Sequence, residues 1–264
     1  MAEIKKYDLL EWLIDVEIDK AYQARRNKRK TKTKFSASNA GYCKRATILN
    51  RLNAEEEEHT ENQKWIFWLG QIIHEAIENL VKGSGKVVAC ETFLSGHDFI
   101  HGAIDVIVRD DNGLNVLYSI KSINPGSFWR YIVKEKRPHK HNIYQEITYF
   151  IINNKYPIDK VKILYIAKDL DYKGRRSFWI DVTPELVQEV TDWWDSVKES
   201  FDNRLLPEPY AIDSAEYKHF CKGCTFSNLW CFGDQQTIDN NIQSLVWPTN
   251  EKTEKTADVK CQNQ

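Results

Sequence analysis

Two charged side chains stand in segments that otherwise read as buried strand. Asp105 lies between Ile104 and Val106, and Lys121 follows Ile120 in the stretch Leu117–Ser122. Buried charges occur where they are paired or bind something. The two segments are joined by Asp110-Asp111-Asn112-Gly113, a strong hairpin signal. A two-residue Asn112-Gly113 loop would set Asp105 opposite Ile120 and aim it away from Lys121. A three-residue loop, Asp111 to Gly113, sets Asp105 opposite Ser119, so that Asp105, Ser119 and Lys121 share a face. Gly113 suits the left-handed third position of that loop, and this register is the expected one. Cysteines form a second constellation. Cys221-x-x-Cys224-x₆-Cys231 supplies three thiolates, whereas a structural zinc ion or an iron–sulfur cluster wants four ligands. On spacing alone His219 or Cys43 could be the fourth. Cys90 sits at a strand position and reads as a small buried hydrophobe; Cys261 lies in a polar tail.

The elements that must position these residues are legible from periodicity. Leu9, Leu10, Trp12, Leu13, Val16, Ile18 and Ala21 predict a helix over 7–27. It runs into Arg25–Lys34, where seven of ten residues are basic. Ser36 or Ser38 is expected to cap a short helix from Cys43 to Leu52. Residues 64–82 predict a helix whose buried stripe is Trp65, Trp68, Leu69, Ile72, Ile73, Ala76 and Leu80. Strands are predicted at 86–94, 99–109, 114–122, 160–168 and 175–182. Further helices are predicted at 138–154 and, capped by Thr183, at 184–204. On the first of these His141, Gln145 and Tyr149 lie along one face. The fold class is therefore α/β, a mixed central sheet flanked by helices.

The chain has 264 residues, of which 42% are hydrophobic, enough for a real core. Lys plus Arg number 37 and Asp plus Glu 38, a net charge of −1. That balance excludes a uniformly basic nucleic-acid coat and an acidic disordered chain, but permits a local basic groove. No apolar run approaches the roughly 18 residues of a membrane span, and Met1–Asp15 carries no cleavage-site pattern. An intracellular location is expected, where thiols stay reduced and clustered cysteines suggest metal before disulfide.

Taken together, Gly102-x-x-Asp105 and Ser119-x-Lys121 resemble the strands of the PD-(D/E)xK nuclease superfamily. They are most similar to its RecB-type branch, which includes CRISPR-associated exonucleases and the AddB nuclease. His74, in Gly70-x-x-x-His74-Glu75, matches a metal-binding histidine on the helix before the sheet, and Gln145-x-x-x-Tyr149 matches a downstream helix motif. The resemblance covers about residues 36–232. It implies a restriction-endonuclease-like core over 36–234, preceded by an N-terminal helix and basic segment (1–35) and followed by a polar, flexible tail (235–264). It implies Mg²⁺ or Mn²⁺ held by His74, Asp105 and the Ile120 carbonyl. Hard cations of this kind take oxygen ligands, and hydrolysis uses the cation to activate water. Lys121 would neutralise developing phosphoryl charge, while Ser119, Gln145 and Tyr149 complete the site. It implies a [4Fe–4S] cluster on Cys43, Cys221, Cys224 and Cys231, clamping the chain's beginning to its end. DNA, expected as single-stranded ends, would meet Arg25, Arg26, Lys28, Arg29, Lys30, Lys44 and Arg45. Phe128, Trp129 and Tyr131 would offer stacking surfaces. Repair, phage or CRISPR-linked proteins are the implied partners, with no membrane. The departure from the pattern is Ser119, which stands where Asp or Glu is called for. It leaves a catalytically inactive DNA-binding or assembly module as the alternative. Glu75, Glu78 or Glu91 is a candidate for a carboxylate that has moved.

Overall fold

The computed structural model describes residues 9–28, 33–168 and 174–248. In chain order they form α1 (Leu9–Lys28), β1 (Phe35–Ser36), α2 (Lys44–Arg51), α3 (Glu61–Lys82), β2 (Val87–Leu94), β3 (Ile100–Arg109) and β4 (Asn115–Ile123). Then come the single turn α4 (Pro125–Ser127), a π-helical segment Phe128–Lys134, α5 (Lys140–Ile152), β5 (Lys160–Ala167), β6 (Arg175–Ile180) and α6 (Pro184–Asp202). Two short π-helical segments, Tyr217–Cys221 and Asn228–Phe232, precede α7 (Gln235–Gln243). The six strands make one mixed sheet of order β1-β3-β4-β5-β6, with β2 also pairing with β3. β3 is antiparallel to β2 and β4, β4 is parallel to β5, and β5 is antiparallel to β6. The parallel step β4–β5 demands a crossover, and that crossover carries α5. This is the expected α/β architecture, a mixed sheet flanked by helices.

The hairpin has the expected register. Val106 faces Tyr118 and Arg109 faces Asn115. The Asp110 N–H donates to the Leu114 carbonyl at 2.8 Å, leaving Asp111 to Gly113 as the loop. Gly113 takes φ +82°, where a side chain would be strained. Asp110 Oδ1 accepts the N–H groups of Asn112 and Leu114, both at 2.9 Å, which holds the loop shut.

The main core lies between the sheet and helices α2, α5 and α6. Ile48, Ile104, Ile107, Leu117, Ile147, Val161, Val190 and Trp194 meet there. The Trp194 indole N–H donates to Thr148 Oγ1 at 2.9 Å, so the largest core side chain buries no orphan donor. A smaller core of Leu49, Phe226 and Trp230 joins α2 to the cysteine-rich segment.

Four expectations are corrected. Cys43, with no side-chain cap bond, precedes α2, while the Ser36 and Ser38 hydroxyls bond each other at 2.8 Å. In α3 the expected apolar stripe holds only in part: Trp65, Trp68 and Ile73 are half-buried. Leu69, Ile72 and Leu80 are exposed, and the one fully buried residue of the helix is Glu78. The helix turns Gly70, His74 and Glu78 to the sheet because a hydrophilic cleft, not an apolar core, lies beneath them. Asp234, at the expected start of the polar tail, instead caps α7 by accepting the Thr237 N–H, and Ile238 of that helix is buried. Phe128 belongs to a core with Ile132, Ile163 and Tyr165, so its ring is not free to stack on a base.

Gly102 places β3 against α5. A Cβ there would sit 2.5 Å from Tyr149 Cε1 and 2.9 Å from the Ala37 Cβ. Gly102→Ala should therefore cost about 1–3 kcal/mol of stability through overpacking. Gly83, where a Cβ would find its nearest neighbour at 3.8 Å, is the control, with Gly83→Ala staying within about 0.5 kcal/mol. Urea denaturation of the two variants checks the difference, and equal midpoints would refute the packing argument.

Candidate active site

β3 and β4 stay paired only as far as Val106 and Tyr118, and the site opens where they part. Continuing the register sets Asp105 opposite Ser119. On the other edge of β3, Glu91 lies between the pairs Cys90–Val106 and Thr92–Ile104, which sets it opposite Asp105. Glu91 has φ +46°. A non-glycine residue held there costs about 1–3 kcal/mol, strain of the kind that collects at functional sites.

Asp105 is fixed by the backbone. The Ile120 N–H donates to Asp105 Oδ2 at 2.7 Å, and the Ser119 hydroxyl lies 3.4 Å from the same oxygen. His74 reaches down from α3 and donates to the Ile120 carbonyl. The three groups expected to hold a cation, His74, Asp105 and the Ile120 carbonyl, are thus brought together. Burial lowers the His74 pKa, and Lys121 lowers it further against the opposing pull of Asp105. The imidazole is therefore held neutral, the form that can ligate a metal.

An open cleft of about 310 Å³ lies in front of these groups, lined by Gln71, His74, Glu75, Glu78, Glu91 and Asp105 among others. Glu78, four residues after His74 on α3, is 3% exposed. Burial first, and then the charge and hydrogen bond of Glu91, push its pKa up to about 7. Two carboxyl groups in contact share a proton unless a cation separates them. Carboxylates with one imidazole are the donor set of a hard divalent cation such as Mg²⁺ or Mn²⁺. Among the described residues, no three such donors already converge on one ion position.

Lys121 is held from α5. Its Nζ donates to Gln145 Oε1 at 2.8 Å, and Gln145 Nε2 donates to the Tyr149 hydroxyl at 2.9 Å. Burial raises the Tyr149 pKa, so the phenol stays protonated while its ring packs on Gly102. The expected Gln145–Tyr149 pair is therefore a bracket for the lysine. A fourth acid stands behind it. Glu146 is 1% exposed, like Ser119. Its carboxyl is within hydrogen-bonding reach of the Ser119 hydroxyl and 3.6 Å from Lys121 Nζ. Burial pushes its pKa up to about 7, against the pull of Lys121. Sequence reasoning missed Glu146. The available signal was a lone acid in a helix whose buried residues otherwise surround the axis.

The four cysteines expected to act together lie around one pocket, but among the described residues no three of them converge on a metal position. Cys43, Cys221, Cys224 and Cys231 line one largely enclosed pocket with Leu49, Phe220 and Phe226. Burial and then the neighbouring thiols raise Cys221 to about 11. Burial raises Cys231 to about 12, although Arg45 opposes it. His219 turns away to His139 and His141, at ring distances of 5.9 and 5.7 Å. Cys90 is only half-buried in β2, and Cys261 lies outside the described residues.

The expected phosphate contacts divide. Arg45 is 6% exposed, and its guanidinium donates to the Pro207 and Trp230 carbonyls at 2.9 and 2.8 Å. It is a buried internal tie, which corrects its expected place on DNA. Lys44 is half-buried at the start of α2. Arg29 and Lys30 lie outside the described residues, and only the helical backbone of Arg25, Arg26 and Lys28 is described. Trp129 is exposed, and Tyr131 packs edge-on against His139.

No protein-family model matches the chain, and no curated protein matches it. Among solved structures, that of SSO0001 is similar with a TM-score of 0.53 at 16% identity, over 82% of this chain and 94% of that one. An alkaline exonuclease, LHK-Exo from Laribacter hongkongensis, superimposes with a TM-score of 0.45 at 16% identity, over 70% of this chain and 95% of that one. Its complex with dAMP gives a TM-score of 0.48 at 15% identity, over 70% and 93%. The chain is similar in fold to SSO0001 at an identity that speaks of fold alone.

Proposed function

We propose that this chain is a nuclease that hydrolyses DNA phosphodiester bonds with a bound Mg²⁺ or Mn²⁺, acting as an exonuclease on single-stranded ends. One observation carries the reading. Asp105, His74 and the Ile120 carbonyl meet at the parting of two strands, with a lysine fixed beside them. The donor set fits a hard cation, which when bound polarises the phosphoryl oxygen and lowers the pKa of the attacking water. His74, Asp105 and the Ile120 carbonyl would hold it. Lys121 meets the negative charge that develops on the phosphoryl group, and its fixed geometry avoids reorganisation as that charge appears. Gln145 and Tyr149 keep the ammonium in place. Exposed Trp129, in the segment that follows β4, offers an unpaired base a stacking surface. The basic stretch after α1, with Lys44, supplies backbone charge complementarity.

We also propose that the four-cysteine pocket holds a [4Fe–4S] cluster with a structural role. Four soft thiols in an apolar, enclosed setting are a fitting donor set. Ser119 supports a second reading, a DNA-binding module that does not cut, because a hydroxyl is a weaker ligand for Mg²⁺ than a carboxylate.

Labelled single-stranded DNA incubated with the protein and Mn²⁺ or Mg²⁺ separates the two. Cleavage should fall by about a hundredfold or more in both Asp105→Ala and Lys121→Ala. Retained binding without cleavage by the parent would establish the second reading. Anaerobically purified protein should be brown and carry about four irons per chain. Colourless protein with stoichiometric zinc would overturn the cluster.

A further inference from the structure

Ser119 leaves the site one carboxylate short, and the fold brings an unassigned one to the same place. Glu146 comes from α5, the helix that also supplies Gln145 and Tyr149. Its carboxyl lies beside both members of the Ser119-x-Lys121 pair, close enough to the hydroxyl to interact with it and 3.6 Å from the ammonium. It is 1% exposed, yet its Oε1 finds no hydrogen-bond partner among the described residues. A buried carboxylate oxygen with no donor is costly, and a lysine at ion-pair distance without a hydrogen bond compensates it only in part. Ser119 and Glu146 are both buried, each 1% exposed. A small side chain at position 119 makes room for the longer one that enters from the helix.

We propose that Glu146 supplies the second acidic ligand of the divalent-cation site, in the place that Ser119 vacates. The inference rests on the nuclease reading above and names the acid that reading lacks. The ligand set then comprises His74, Asp105, the Ile120 carbonyl and Glu146, with Lys121 salt-bridged to the last of these until the cation arrives. The chain keeps the charge balance of an acidic pair beside a lysine, with one acid delivered from a helix and not from a strand.

The test titrates the full-length protein with Mn²⁺ by calorimetry and follows DNA cleavage in parallel, with circular dichroism to verify folding. Glu146→Gln keeps the shape and removes the charge. It should weaken Mn²⁺ by at least about tenfold, the loss that even an outer partner of a metal ligand causes, and should abolish cleavage. The double variant Ser119→Glu/Glu146→Gln moves the acid to the strand and should recover most of the lost Mn²⁺ affinity. Ser119→Glu alone, which does not depend on Glu146→Gln folding, should leave Mn²⁺ affinity unchanged or lower, because the place is already filled. Parental Mn²⁺ affinity in Glu146→Gln, no recovery in the double variant, or a tenfold gain in Ser119→Glu would each overturn the proposal. A parent that cleaves normally beside an unaffected Glu146→Gln sinks this inference alone, whereas a parent that takes up no Mn²⁺ sinks the nuclease reading with it.

Discussion

The hydrogen bond from the Ile120 N–H to Asp105 is the contact on which the site depends. Once β3 and β4 part after Val106 and Tyr118, the next N–H groups of β4 lose their ladder partners, and a buried backbone donor cannot be left unmade. Asp105 answers that demand with a charge-assisted bond. The same bond turns the Ile120 carbonyl toward His74 and leaves the second carboxylate oxygen facing the cleft. One satisfied N–H therefore sets three groups at once. It also lets β4 continue alone to pair with β5, so that Lys121 passes under α5.

Burial of acids is the second theme. Glu78 and Glu146 sit where apolar residues would stabilise more, and α3 shows leucine and isoleucine to solvent while it hides a glutamate. Such an arrangement costs stability in the unliganded chain. Under the proposed reading it becomes intelligible, since a cation bound in the cleft would relieve the repulsion between Glu78 and Glu91. The strained backbone at Glu91 belongs to the same account: it turns one more acid toward the cleft at a local energetic cost.

Much of this was legible in the residues. The strands and long helices followed their periodicity, and Gly113 favoured the three-residue hairpin loop because it suits that loop's left-handed third position. The neighbours of Lys121 were less accessible. Gln145 could be placed by helical spacing, but Glu146 lies next to it, and helical spacing carries no information on how deep a helix sits against a sheet. The α3 stripe held only in part for a related reason: periodicity reports which residues share a face, not whether the face meets oil or a cleft. Arg45 failed because a basic residue beside a basic run looks solvated unless its carbonyl partners, more than a hundred and fifty residues later, are known.

That last tie has a consequence for how the protein is made. Ile48 and Leu49 of α2 are fully buried, and the partners of Arg45 lie 162 and 185 residues downstream. At a synthesis rate of about 5–20 residues per second, α2 emerges roughly ten to forty seconds before Trp230 exists to receive it. During that interval its apolar face has no native cover, and the β3–β4 hairpin can form first. Loss of the last stretch of the chain, far from the cleft in sequence, would thus undo the beginning of the molecule before it disturbed the middle.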